Sequence, residues 1–278
     1  MFGIWITGRK ATQYVLRTFR KWSTISSLLY CGNGLLLCRT YRGQLMFLDA
    51  HDASLTPSIA FDGEWEPDIT KFLWRTVQPG MVIVEIGSNI GYHTIHMANK
   101  VGEKGHIYAL EPNPSTYEIL VKNLDANGLL HRTTILNKGV FNKNARIVLR
   151  TSPVRRAHAT LVRPTWTSYS SNGVEVEVVD AQELFEQIGR IDLIRMDAEG
   201  SEQHIIKCAE TYLRKANSLQ VVLEFAPPYL EDPIGLLSTI RSLGFRIFQI
   251  RKGGKAKEVQ SLAKAAHETY DLYLKKPR

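Results

Sequence analysis

The stretch VIVEIGSNIGYHTIHMA, residues 82–98, restricts the fold more than any other part of the chain. A short and nearly continuous apolar run is what a parallel strand buried on both faces requires. It leads into a turn bearing Gly87 and Gly91, and a helical pattern leads out. Strand, glycine turn and helix make the unit of open α/β sheets, where ligands sit beyond the carboxyl ends of the strands. The alternation continues downstream. HIYAL, TTILN, IDLIRMD, LQVVLEF, FRIFQI and DLYLKK read as strands, with STYEILVKNLDANG, AQELFEQIG, SEQHIIKCAETYLRK and IGLLSTIRSLG as helices. RIVLR and VEVEVVD are β-like, joined by a polar loop that carries aromatic residues.

Ahead of this region the chain reads differently. GLLLCRTYRGQLMFL holds two apolar runs around Arg42-Gly43, a hairpin pattern. In FDGEWEPDITKFLWRTVQPG, Pro67 suits the first turn of a helix, with Phe72, Leu73 and Trp74 at core-like positions. Residues 1–60 are therefore read as a basic helical segment plus hairpin, and residues 61–278 as one α/β domain. The net charge is +8, but its placement matters more than its size. Arg9, Lys10, Arg17, Arg20 and Lys21 stand in an opening segment without a single acid, and RKGGKAK opens another basic stretch near the other end. Such ends suit an anionic neighbour; the first segment reads as a solvated helix packed on the domain, with peripheral contact with the inner membrane face as the alternative. No run approaches the roughly 20 apolar residues of a membrane span. The three cysteines, Cys31, Cys38 and Cys208, lack metal-ligand spacing and read as reduced thiols of a cytoplasmic protein.

The glycine loop discriminates between cofactors. A dinucleotide loop, G-x-G-x-x-G, needs its second glycine so that a pyrophosphate can approach the backbone. Here Asn89 holds that position and Tyr92 the third. No Gly-Lys-Ser/Thr follows, which removes the P-loop. A cofactor without phosphates fits, and S-adenosylmethionine presents an amino-carboxylate where a dinucleotide presents its pyrophosphate. Loop and helix N–H groups from Gly87 to Tyr92, Gly91 included, can hold the carboxylate, and Glu85 can meet the ammonium. Glu111, 24 residues beyond Gly87 at the end of the second strand, is placed to accept ribose hydroxyls. The competing reading is that Gly87 and Gly91 serve strand–helix packing and that Glu111 favours a helix N-terminus.

In order and spacing, GEWEPDITKFLWRTVQPGMVIVEIGSNIGYHT, ALEPNPSTYEILVKNL, IDLIRMDAEGSE and VVLEF resemble the FkbM-like methyltransferases. The resemblance implies a Rossmann-like seven-stranded methyltransferase sheet, mostly parallel with the last strand antiparallel, helices on both faces, and an N-terminal helix and hairpin extension. It implies S-adenosylmethionine as cofactor, O-methylation of sugars or other natural-product hydroxyls, and a cofactor site lined by Glu66, Glu85, Gly87, Asn89, Glu111 and Asn113. Asp197 and Glu199 would face the reacting end. The sequence departs from the family pattern at Glu85, where the family often has Asp, and in RRAHATL, which bears on the acceptor.

Methyl transfer is an in-line displacement that depends on positioning, and an alcohol acceptor must also lose a proton. Asp197 closes a strand at the ligand edge with Glu199 just beyond, so these are the candidate catalytic acids. Glu202 reads as a helix-leading acid. Nothing in the spacing demands a metal. His158, Trp166 and Tyr169 belong to a polar loop suited to a substrate, whereas His93 and His96 read as packing partners. Ala226-Pro227-Pro228-Tyr229 imitates an amino-group methyltransferase motif but lacks its polar first residue, so it reads as a turn. The rival functions are a nucleic-acid methyltransferase, weakened by the confinement of charge to the ends, and a non-catalytic cofactor-binding scaffold, weakened by the retained acids.

Overall fold

A computed structural model describes residues 28–152, 159–162, 173–261 and 269–276. The basic segment ahead of residue 28 and the loop residues His158, Trp166 and Tyr169 lie outside the described residues. The described residues open with β1 (Leu29–Gly32), β2 (Leu35–Arg39) and β3 (Leu45–Asp49), an antiparallel meander. The expected hairpin is its β2–β3 half, with Leu35 opposite Asp49. Cys38, Met46 and Leu48 face inward and are buried. One helical turn, Leu55–Pro57, and a π-helical segment, Ser58–Asp62, lead to α1 (Pro67–Thr76). Its Pro67 stands in the first turn, and Ile69, Phe72 and Leu73 are buried. Trp74 corrects the expected pattern, since it faces outward with the Arg42 guanidinium 4.6 Å above its ring. A cation over the indole face offsets part of that exposure.

Then follow β4 (Val82–Ile86), α2 (Tyr92–Val101), β5 (His106–Leu110), α3 (Pro114–Ala126) and β6 (Thr133–Leu136). Next come β7 (Gly139–Phe141), β8 (Ala145–Thr151), β9 (Ala159–Thr160), β10 (Val174–Asp180) and α4 (Ala181–Ile188). The chain continues through β11 (Leu193–Met196), α5 (Glu202–Cys208), α6 (Glu210–Lys215), β12 (Gln220–Phe225) and α7 (Pro233–Ser242). It closes with β13 (Arg246–Arg251), β14 (Lys255–Glu258) and β15 (Tyr270–Lys275). The central sheet has the order β14-β13-β15-β12-β11-β4-β5-β6. Strands β6, β5, β4, β11 and β12 are parallel, and β15 runs antiparallel to both β12 and β13. This is the expected Rossmann-like sheet with one strand more. The addition is β14, from the lysine-rich segment, which turns back at Gly253-Gly254 and pairs with the otherwise open edge of β13. Its lysines suit an exposed edge, where charge discourages further pairing. Strands β7, β10, β8 and β9 form a separate four-stranded sheet.

Both faces of the central sheet are covered, which is why its strands read as unbroken apolar runs. Val84, Ile86, Ile194, Val221 and Leu223 pack in one cluster with residues of α4, α5 and α7. Ile83, Ile107, Leu193 and Val222 pack in the other with α1, α2, α3 and the meander. Asn123 of α3, fully buried, ties that second layer together: it exchanges hydrogen bonds with Phe47 of β3 (2.6 and 3.0 Å) and donates to the Ile90 carbonyl (2.7 Å). A buried amide whose hydrogen bonds are met specifies one docking of meander against glycine loop.

Candidate active site

At the carboxyl edge of β4 the chain makes its glycine turn. Gly87 has φ +77° and Asn89 φ +50°, both in the left-handed region that side chains other than Asn and Asp seldom enter. The N–H groups of Gly87 and Ser88 both donate to the Leu110 carbonyl at 3.0 Å. Gly87 is held so close to β11 that an added Cβ would lie 1.9 Å from the Asp197 carbonyl oxygen. Its lack of a side chain therefore brings two strand ends together.

Glu111, buried at the end of β5, accepts from the Asn89 N–H through Oε2 and from the Asn113 N–H through Oε1, each at 2.9 Å. These bonds lock the carboxyl plane while lone pairs remain for a ligand's hydroxyls. Asn113 also caps α3, its side chain accepting from the Ser115 N–H. A cavity of about 810 Å³, its open mouth included, lies beyond these strand ends. Its walls bring together Glu66, Gly87, Asn89, Glu111, Asp197 and Glu199 from the sequence-derived set, with Trp65, Pro112 and Val140 as apolar surface. Five carboxyl-bearing residues and one lysine, Lys138, line it among the described residues. A pyrophosphate meets repulsion there, whereas S-adenosylmethionine, with one net positive charge, meets attraction. The cofactor expected from the loop fits the site.

Four members of the expected set act from behind the wall. Glu85 is fully buried, bonded to the Thr94 hydroxyl and to Arg195 Nη1 (3.3 Å), and lies outside the cavity lining. Gly91, at φ +88°, opens α2 where a Cβ would strike Leu120, which is the packing role weighed above. Tyr92 is buried edge-on against the rings of His93 and His96. Asn113 contributes its N–H to Glu111 and lies outside the lining. His93 does more than pack: its Nε2 meets Glu66 Oε2 at 2.8 Å, and burial lowers the imidazole's pKa so that it is neutral and donates.

Arg195 was not singled out in the sequence, where it is one polar letter inside IDLIRMD. The structure makes it the charge centre beneath the site. Buried in β11 opposite Glu85, it donates to Glu85 (3.3 Å) and to Asp197 Oδ2 (3.1 Å), and it stands 3.7 Å from Glu66. A cation in a continuous apolar strand was the signal available, because buried charges are paired. Glu202 was read as a helix-leading acid, and the structure gives it a more specific task. Its two oxygens accept from the Ala198 N–H (2.7 Å) and Gly200 N–H (2.9 Å), clasping a loop in which Glu199 and Gly200 have φ of +48° and +99°. The Glu199 carbonyl in turn accepts from Thr160 of β9 at 2.7 Å.

Burial raises Glu85, Glu111 and Glu202 to about 7 and Asp271 to about 8. Unfolded carboxyls titrate near pH 4, so the folded chain binds these protons more tightly, and that stability is lost as pH rises through about 7 to 8. Burial acts oppositely on His93 and His96, the latter lowered to about 3, but their contribution is complete above about pH 6.5. The melting temperature of the cofactor-free protein should therefore fall between about pH 6.5 and about pH 8.5. Thermal melts in matched ionic strength test this, and a flat or rising profile would contradict it.

The sequence model of the methyltransferase FkbM domain matches residues 71–247. Among curated proteins, hexuronic acid methyltransferase AglP of Haloferax volcanii is 26% identical over 156 residues, 55% of this chain and 59% of that protein. A protein-L-isoaspartate O-methyltransferase of Methanothrix thermoacetophila is 35% identical over 65 residues, 23% of this chain and 31% of that protein. The chain thus spans about three fifths of the first relative's length and under a third of the second's. Among solved structures, an S-adenosylmethionine-dependent O-methyltransferase of Thermotoga maritima aligns with a TM-score of 0.44 at 17% identity, over 87% of this chain and 77% of that one.

Proposed function

This chain belongs to the FkbM methyltransferase family, and from that premise we propose that it transfers the methyl group of S-adenosylmethionine to a hydroxyl of a sugar, glycan or similar natural product. One observation carries the reading: a single cavity joins the glycine loop and Glu111 to Asp197 and Glu199. The cofactor, when bound, supplies a methyl group made electrophilic by its sulfonium. Glu111 would take the ribose hydroxyls and Glu66 would meet the ammonium of the methionine end, while the N–H groups of Gly87, Ser88 and Asn89 hold Leu110 and Glu111 in place. Asp197 is aimed by Arg195, which donates to it, and Glu199 is presented by the loop that Glu202 clasps. These two orient the acceptor hydroxyl, a positioning role suited to an in-line displacement.

The hexuronic acid methyltransferase among the relatives supports a sugar acceptor. The acid-rich wall speaks against a nucleic-acid acceptor, whose phosphates it would repel. Titration calorimetry with S-adenosylmethionine and with NAD tests the cofactor: micromolar binding of the first alone is expected, and binding of NAD alone would overturn the assignment. A labelled-methyl assay over a pool of neutral and acidic glycans then tests the acceptor, and incorporation into RNA but no glycan would replace it.

The organisation belongs to the same proposal, with residues 1–60 as an extension and 61–278 as the methyltransferase domain. We place the protein in the cytoplasm, held peripherally at an anionic inner membrane face by its basic first segment. The exposed side chains of Leu28, Leu29 and Tyr30 adjoin that segment and support contact. Among the described residues no helix is long and apolar enough to cross a membrane. Deleting residues 1–28 should lower sedimentation with anionic vesicles several-fold, and unchanged binding would remove the attachment.

A further inference from the structure

Two acids, Glu224 in the cavity wall and Asp271 opposite it on β15, remain without a task in methyl transfer. The register that sets Met196 beside Leu223 carries Asp197, one residue on, beside Glu224 of β12. Glu224 in turn stands directly opposite Asp271 of β15. Three carboxyls thus form a row along the edge where β11 and β12 end and β15 begins, and Glu224, in the middle, lines the cavity. Opposed side chains on antiparallel strands have Cβ atoms about 5 Å apart, close enough for like charges to oppose each other's ionisation.

The groups facing Glu224 are Asp197 and Glu199 from the loop after β11, Glu202 from α5 and Asp271 from β15. Arg195, the cation nearest this row, is engaged with Glu66, Glu85 and Asp197, and Lys138 pairs with Glu177. Burial first, and then this crowd of acids, pushes the Glu224 carboxyl up to about 10. Both effects favour the protonated form when no cation is nearby.

We propose that Glu224 is a third catalytic residue of the cavity: it surrenders its proton when the positively charged cofactor binds, then takes the proton of the acceptor hydroxyl. The proposal rests on the methyltransferase reading above. A cation brought beside crowded carboxyls favours their charged forms. In the transfer step the hydroxyl O–H bond breaks and its proton passes to a Glu224 carboxylate oxygen. The acceptor oxygen forms the new O–CH₃ bond, and the S–CH₃ bond breaks with its electron pair left on sulfur. Sulfonium and carboxylate are neutralised together, so the buried site gains no net charge. Asp271 is a positioning residue that acts through Glu224.

The test is calorimetric titration of the full chain at pH 7.5 in two buffers of different ionisation enthalpy. The ligands are S-adenosylmethionine and S-adenosylhomocysteine, which lacks the sulfonium charge. More protons should be released with the first than with the second, and Glu224→Gln, which has no proton to release, should abolish the difference and weaken binding of S-adenosylmethionine about tenfold. Labelled-methyl incorporation into the glycan pool should fall about 100-fold in that variant, the ordinary contribution of a general base. Asp271→Asn, which removes one like charge, should move the proton release to lower pH, and it serves with the wild type should Glu224→Gln fold poorly. Equal proton release from the wild type, a difference retained in Glu224→Gln, or near wild-type incorporation would each overturn the proposal. If the wild type binds no S-adenosylmethionine, the methyltransferase reading itself falls.

Discussion

Gly87→Ala should abolish measurable binding of S-adenosylmethionine and strongly lower the melting temperature, out of proportion to one added methyl. Two costs combine. The residue sits at φ +77°, where a Cβ costs about 1 kcal/mol or more. The new atom would also fall 1.9 Å from the Asp197 carbonyl oxygen, on backbone that cannot rotate aside. Relief requires β4 and β11 to part at the edge where Asp197 and Glu111 line the cavity, so cofactor affinity is lost along with stability. Gly244→Ala is the control: it caps the end of α7 at φ +88°, but nothing lies within 4 Å of the added Cβ. It should cost only the conformational strain of about 1 kcal/mol. Circular-dichroism melts and calorimetric titration of both variants separate the effects. Similar losses in the two would show that the close approach at Gly87 is unimportant.

Arg195→Met should be among the most destabilising single changes in the chain, by about 3–5 kcal/mol at pH 7.5. The guanidinium is buried, its charge balanced by Glu85, Glu66 and Asp197. Methionine fills much of the volume but leaves Glu85, with no exposed surface, facing a thioether. A buried carboxylate stripped of its partner must be protonated or hydrated, and either costs free energy. Adding Glu85→Gln should restore a large part of the loss, because the amide needs no counter-charge and the Thr94 hydroxyl remains beside it. The double-mutant cycle, followed by urea unfolding, should show a coupling of about 2 kcal/mol or more. Additive effects, or an Arg195→Met variant within about 0.5 kcal/mol of the wild type, would mean that this ion cluster is not what secures the site.

Much of this was legible in advance. Apolar runs five residues long that end in a glycine turn permit little besides a buried parallel strand and its crossover helix. The dinucleotide loop was disfavoured by Asn89, and Asn89 takes the left-handed conformation that few side chains other than asparagine's tolerate. Glu111, at the end of β5, was named from its interval after Gly87 and does face the cavity. The interval along the chain carried that inference because strand, turn and helix are local.

Glu85 shows where local reasoning stops. Like Glu111 it is a glutamate near a strand end on the same edge, and nothing in the letters separates them. The difference arises from residue 195, distant in sequence, whose guanidinium sits directly across from Glu85 when β11 pairs with β4. The row of Asp197, Glu224 and Asp271 comes likewise from strand register. The β14 edge strand escaped notice because its lysines read as a solvated loop until β13 offered an unpaired edge. By itself, then, the sequence determined the parallel strands, the glycine turn and the class of cofactor, since each depends on residues within one turn or strand of one another. The tertiary structure alone decided which carboxyls meet the cavity and which are neutralised beneath it, because side-chain charge is set by neighbours that only the pairing of distant strands brings within a few ångströms.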